Sequence, residues 1–267
     1  MPYRWSSLRR SRLGRAVVQH LCRNSALTLS WLVLVAVGST ASAVALTDSS
    51  SSTGVSKEIH DTRSFAMVGA IFSGQVSSSG DHFCTGSVID SPGRNLIVTA
   101  AHCMSDGTSA LYFAPGYHDG VAPYGVWKLD HATTDSRWTS GQDPDHDVAF
   151  VTVDPLNGQQ LESAVGSYTL GIGRSPDSIV RLTGYPKVED APLTCVNRAS
   201  SFSATQLRIA CTDYSGGTSG TAWVTGGTTV MGVIGGYEQG GDTSDVSYSV
   251  VFGDDVETLY QQATASA

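Results

Sequence analysis

Cys84-Thr85-Gly86-Ser87-Val88-Ile89-Asp90-Ser91-Pro92-Gly93-Arg94-Asn95-Leu96-Ile97-Val98-Thr99-Ala100-Ala101-His102-Cys103 holds the first strong structural signal of the chain. Two apolar runs of strand length, 84–89 and 96–100, flank Asp90-Ser91-Pro92-Gly93, whose residue types favour a tight turn. The second run ends in Ala100-Ala101-His102-Cys103. The small residues let the backbone bend sharply there and set a histidine at the strand's end, a good place for a general base.

The same texture continues on both sides. Ala66–Phe72, Val148–Val153, Ile179–Thr183, Leu207–Ala210, Thr221–Val224 and Thr229–Ile234 are further short runs of strand character, separated by Gly, Pro, Asn and Asp turns. Such spacing suggests an all-β sandwich or barrel, and no β-α-β alternation is visible. One helix is expected, at the C-terminus. Asp254 and Asp255 favour its start, and Val256, Leu259, Tyr260 and Ala263 fall on one face.

The 267 residues suit one large β domain or two modest ones. Only 15% are charged, against 29 glycines, a balance that favours strands and turns over long helices. Net charge is −8, but the first 43 residues carry six arginines and no acid; the remainder has ten basic and 24 acidic residues, a net of −14. An acidic surface argues against nucleic acid or an anionic membrane as a partner.

Residues 1–43 read as a secretory signal. They combine an Arg-rich start, an apolar stretch from Ala26 to Gly38 too short to span a bilayer, and Ala41-Ser42-Ala43 as a cleavage site. Residues 44–63 contain Ser49-Ser50-Ser51-Ser52-Thr53-Gly54 and read as a flexible leader or propeptide of a zymogen. The expectation is a secreted monomer with no stable membrane association. Cys22 leaves with the signal. Cys84, Cys103, Cys195 and Cys211 remain, an even number that favours two disulfides in an exported chain, with three pairings open. No metal-ligand spacing surrounds them, so no metal is expected.

Acyl transfer at neutral pH needs a nucleophile, a base, a group that orients the base, and donors for the oxyanion. Three stretches supply these residue types in chain order. The first is Thr99–Cys103. The second is Asp143-Pro144-Asp145-His146-Asp147, directly before the run at Val148. The third is Gly216-Gly217-Thr218-Ser219-Gly220-Thr221, whose glycines let backbone N–H groups turn inward.

Together with the strand Cys84–Ile89 and Gly184-Tyr185-Pro186, these stretches resemble the trypsin-like (chymotrypsin-fold) serine proteases. The likeness runs from about Phe65 to the C-terminal helix. It is nearest to bacterial exported members, including the V8-like glutamyl endopeptidase branch. The resemblance implies two packed antiparallel six-stranded β-barrels with a C-terminal helix, the first over 64–160 and the second over 161–267. It implies a secreted serine endopeptidase acting on proteins or peptides without a cofactor. Its triad would be His102, Asp147 and Ser219, with an oxyanion hole from the Gly217 and Ser219 amides. It pairs Cys84 with Cys103 and leaves Cys195 with Cys211. Asp147 is preferred to Asp145 because the family's acid stands directly before such a strand, here 45 residues after His102. The order His, Asp, Ser separates the chain from subtilisin-like and α/β-hydrolase arrangements.

The chain also departs from the animal enzymes. Thr218 stands where animal trypsins carry the Asp that pairs with a new N-terminus, so that activation switch is not expected. Asp213, six residues before Ser219, is the candidate for the base of the S1 pocket. Ile234, Gly235 and Gly236 resemble the strand that lines S1 and pairs with substrate backbone. No His stands near Ile234, so glutamyl specificity is not expected. Fold alone does not fix function. A non-catalytic exported binding protein on this fold and an esterase with the same triad are the alternatives.

Overall fold

The computed structural model describes residues 52–76 and 81–265. After β1 (Lys57–Glu58) come β2 (Val68–Ser73), β3 (His82–Ile89), β4 (Leu96–Thr99), β5 (Leu111–Pro115), β6 (Trp127–Thr134) and β7 (Ala149–Val153). The last six close into an antiparallel barrel in the order β2-β3-β4-β7-β6-β5. The turn between β3 and β4 is closed by Arg94 N donating to Ser91 O at 2.9 Å.

Successive side chains of a strand face opposite ways, and in this barrel both faces are covered. Ile71, Val88, Ile97 and Val151 join Phe113 and Trp127 in one core. Their neighbours Phe72, Ile89, Val98 and Phe150 join Val224, Val233 and Phe252 of the second half in another. Burial of both faces explains why these strands read as continuous apolar runs rather than alternating ones.

The second half contains β8 (Thr169–Leu170), β9 (Ile179–Gly184), β10 (Leu193–Arg198), β11 (Ser200–Ser201), β12 (Gln206–Ala210), β13 (Ala222–Thr225), β14 (Thr229–Val233) and β15 (Val246–Val250). With β1 they form a six-stranded sheet, β1-β10-β9-β13-β14-β8, and a three-stranded sheet, β11-β12-β15. Leu182, Trp223 and Met231 of the first sheet share a core with Leu207 and Ile209 of the second. The mostly β architecture is the expected one, but the ladder of this half is open where the resemblance implies closure. Between β10 and β12 the strands are joined by the Cys195–Cys211 disulfide and by Asn197 Nδ2, which donates to Ala210 O at 2.6 Å.

The expected C-terminal helix, α3 (Asp254–Ala265), buries Val256, Leu259 and Ala263. Tyr260 packs on Phe150 at 5.6 Å between ring centroids and donates to Asp90 O at 2.8 Å, so the helix returns to the first barrel. Two short helices, α1 (Ser136–Gly141) and α2 (Leu161–Val165), add to it. Among the described residues no helix is long and apolar enough to cross a membrane.

Residues 52–63 are not the flexible tether their composition suggested. β1 pairs with β10, and Gly54 bonds Ala210 O and Thr212 N at 2.9 and 3.0 Å. Gly54 lies over the disulfide, where a Cβ would sit 2.6 Å from Cys195 Sγ. These few backbone bonds outweigh the polar composition because the arm runs against an existing strand edge. The signal segment and residues 44–51 lie outside the described residues.

Candidate active site

β4 delivers the chain to a short 3-10 turn, Ala101–Met104, that carries His102. The Cys84–Cys103 disulfide ties this turn to β3. Asp147 ends a second 3-10 turn, Pro144–His146, just before β7, and is fully buried. Because β4 and β7 are neighbours in the barrel, their ends bring the two residues together. His102 Nδ1 donates to Asp147 Oδ2 at 2.7 Å, and His102 N donates to Asp147 Oδ1 at 2.9 Å. Gly236 N, from the second half, donates to Asp147 Oδ2 at 2.9 Å. A buried carboxylate is stable only when its oxygens are satisfied, and three donors meet that need. The arrangement fixes the imidazole with Nε2 as the free, basic nitrogen.

Ser219 stands on a loop clamped from both halves. Thr85 N donates to Ser219 O at 2.8 Å, and Lys187 N donates to Gly216 O at 2.7 Å. The buried Thr85 hydroxyl donates to Gly217 O at 3.1 Å and accepts from Tyr185 N at 3.0 Å. Gly220, at φ +82°, abuts Thr99, Thr85 O and Ala100 N so closely that no Cβ fits. That contact holds the residue after Ser219 against the strand end that leads to His102. Neither the Gly217 N–H nor the Ser219 N–H has a protein acceptor among the described residues. The Ser219 hydroxyl likewise has no hydrogen-bond partner among them. In unliganded hydrolases such bonds commonly tighten only with substrate.

A cavity of 370 Å³ opens beside Ser219, lined among others by Tyr214, Ile234, Glu238, Gln239 and Asp242. Ile234 lines this cavity together with Ser219. Asp213 does not. It is exposed, adopts φ +67°, and accepts from Ser56 of the N-terminal arm at 3.2 Å. Counting back from Ser219 assumed the spacing of the animal enzymes, whereas here the disulfide pins Cys211 and the chain turns outward after it. Gly235 and Gly236 pack instead against Asp147 and Gln206, and their amides are committed, to Tyr248 O at 3.1 Å and to Asp147. His102 lies near the sulfurs of Cys84 and Cys103. Those sulfurs are joined to each other, which leaves one nitrogen and no thiolate for a metal.

The trypsin-like peptidase domain model matches residues 84–233, more than half of the chain. The chain belongs to the trypsin-like peptidases. This trypsin-like peptidase superposes on protease Anisep from Arthrobacter nicotinovorans with a TM-score of 0.67 and 25% identity, covering 79% of this chain and 99% of that one. The thermostable serine protease AL20 from an extremophilic microorganism gives 0.65 and 23%, over 77% and 100%. A Glu endopeptidase gives 0.64 and 18%, over 79% and 96%. The last two likenesses concern the fold. No curated protein sequence matches significantly.

Sequence reasoning passed over several residues that position the site of this trypsin-like peptidase. Thr85 and Lys187 hold the serine loop. Gln206, buried, donates to Asp145 Oδ1 at 2.7 Å and to Pro144 O at 3.0 Å, and accepts from Tyr237 N at 3.3 Å. It thereby joins the Asp147 loop to the second half. Trp138, on α1, faces His102 at 6.5 Å between ring centroids. The α1 N-cap Asp135 accepts from Arg137 N at 2.8 Å. The Arg137 guanidinium bonded to Asp135 holds its carboxyl down at about 2.

Proposed function

We propose that the protein is a secreted serine endopeptidase. The observation that carries the proposal is the fully buried Asp147 carboxylate gripping His102 Nδ1 at 2.7 Å, with the serine loop seated against the same strand end through Gly220 and its Gly217 and Ser219 amides without a protein acceptor among the described residues. In this reading His102 Nε2 takes the Ser219 proton as Oγ attacks the scissile carbonyl. The negative charge forming on the carbonyl oxygen is met by the Gly217 and Ser219 N–H groups. The imidazolium, stabilised by Asp147, then protonates the leaving amine, and an ester of Ser219 remains. Water, deprotonated by His102, attacks the acyl carbonyl, and the resulting imidazolium protonates Ser219 Oγ as the carboxylic acid product leaves. Every proton has a donor and an acceptor within the chain and the water, so no cofactor is needed.

The substrates are proteins or peptides, cut in the cleft between the two halves. Two disulfides support an oxidising, extracellular setting, in line with the Arg-rich start and the Ala41-Ser42-Ala43 site. Specificity for Arg or Lys through Asp213 is not part of the proposal, because that carboxylate faces the N-terminal arm.

The test offers the secreted protein and Ser219→Ala a mixed peptide library read by mass spectrometry, with simple esters in parallel. Cleavage of peptides by the unmutated protein alone supports the reading. Turnover of esters with no peptide cut would replace it with the esterase, and no turnover of either by folded protein would replace it with the binding protein.

A further inference from the structure

Gln206 opens β12 and is only 4% exposed, while Leu207 and Ile209 of the same strand belong to the core of the second half. Taking an amide out of water is costly unless its polar atoms are bonded. Here both Nε2 hydrogens are used, on Asp145 Oδ1 at 2.7 Å and Pro144 O at 3.0 Å, and Oε1 accepts from Tyr237 N at 3.3 Å. The reversed amide would set its oxygen against two acceptors, so the partners fix its orientation. Gly236, at φ +82°, lies against the amide, and a Cβ there would sit 2.4 Å from Oε1.

These bonds close a ring through the carboxylate that orients His102. Asp145 lies on the 3-10 turn that ends at Asp147. From Asp145 Oδ1 the ring passes through Gln206 to Tyr237 N, steps back to Gly236, and returns from Gly236 N to Asp147 Oδ2 at 2.9 Å. Among the described residues two of the donors to Asp147 belong to His102 itself, and Gly236 N is the one from the second half. Gly236 and Asp147 are 89 residues apart in sequence, and Gln206 is bonded to the neighbours of both. A buried network with every member satisfied holds its groups in one arrangement.

We infer that Gln206 and Asp145 form a latch that positions Asp147 for turnover, with Gln206 as a positioning residue and not merely a core contact. The inference rests on the peptidase reading, in which Asp147 orients the imidazole and steadies the imidazolium. Held from both halves, the carboxylate keeps one plane. With Gly236 released it is held from the His102 side alone and can turn together with the imidazole. Small misplacements of a reacting group cost rate, whereas substrate contacts made elsewhere in the cleft are untouched. A packing role would be served as well by an apolar side chain of the same length, but the amide bonds only the two segments that frame Asp147. Asp145, the other acid weighed for the triad, thereby finds its place: it accepts from Gln206 and not from His102.

The experiment measures kcat and KM on one cleaved peptide for the parent, Gln206→Met, Gln206→Glu, Asp145→Asn and the pair Gln206→Glu with Asp145→Asn. Active sites are counted by fluorophosphonate labelling taken to completion, so a loss of folded fraction drops out of kcat. Methionine keeps the length and loses the amide, so kcat per site should fall about tenfold with KM within about twofold of the parent. Glutamate sets two carboxylates against each other and should lower kcat further. Adding Asp145→Asn to it exchanges donor and acceptor, and should recover kcat about tenfold over Gln206→Glu alone. Asp145→Asn by itself keeps an acceptor for Gln206 and should stay within about threefold of the parent. A kcat per site in Gln206→Met within about twofold of the parent, or no recovery in the pair, overturns the latch and leaves the peptidase reading intact. If Gln206→Glu is not secreted in folded form, Gln206→Met decides alone. Failure of the peptidase reading looks different: the folded parent cuts no peptide.

Discussion

Thr85→Val isolates the clamp on the serine loop. Valine has nearly the shape of threonine, so no cavity opens, yet the hydroxyl that joins Gly217 O at 3.1 Å and Tyr185 N at 3.0 Å disappears. Thr85 is fully buried, which leaves those two backbone groups without a partner and away from water. Each such group costs about 1–3 kcal/mol, so with two of them the folded state should lose about 2–6 kcal/mol. The effect should not stop at stability. In the proposed reading Gly217 supplies one of the two oxyanion amides. Its carbonyl lies in the next peptide unit, so release of that carbonyl acts on the amide by loosening rotation about the Gly217 Cα, against the hold of Lys187 N on Gly216 O. Outright removal of an oxyanion donor lowers kcat by about 10²–10³, so a loosened donor should cost about tenfold or more, with KM little changed. Stability would be read by denaturant unfolding in a Ser219→Ala background, which prevents self-digestion. Turnover would be read on peptides with Ser219 intact. Thr85→Ser keeps the hydroxyl and should retain most of both. If Thr85→Val unfolds within about 0.5 kcal/mol of the parent, a shift typical of neutral surface changes, and keeps its kcat, the clamp plays no part.

Two other features make separate predictions. His82 is fully buried, donates Nε2–H to Pro186 O at 3.0 Å and leaves Nδ1 without a hydrogen-bond partner among the described residues. Burial lowers its pKa, partly offset by the bond to Pro186. The unfolded chain therefore takes up the proton first as pH falls, and stability should decline below about pH 6.5, by up to ~1.4 kcal/mol per pH unit from this group. Comparison of the parent with His82→Gln by unfolding between pH 8 and 5 should show a flatter acid limb in the variant. The Cys195–Cys211 bridge spans 16 residues, and its replacement by two serines should cost about 3 kcal/mol. It should also free the N-terminal arm that lies over it, seen as faster proteolytic nicking before residue 64.

The first barrel and the His–Asp pair were legible because local signals suffice for them. β3, β4 and β7 are buried on both faces and so appear as unbroken apolar runs, and Asp147 directly precedes one of them. β6 was not legible, since only Trp127 and Leu129 of its eight residues are buried. The arm at 52–63 was misread because its order comes from backbone bonds to a distant strand edge, which composition does not register. Asp213 was misplaced for a related reason: a residue count cannot follow a chain that a disulfide and a left-handed turn redirect. The roles of Thr85, Lys187 and Gln206 depend on partners 31 to 132 residues away for the two side chains, and on the backbone alone for Lys187. No pattern within a window of sequence encodes such contacts.

The most direct test of the central claim is covalent. The secreted protein would be treated with a fluorophosphonate, and the adduct located by peptide mass spectrometry. The account predicts a single modified residue, Ser219, with labelling lost in Ser219→Ala and slowed by orders of magnitude in His102→Ala. Labelling that persists in folded Ser219→Ala, or that falls on another residue of the parent, would contradict it.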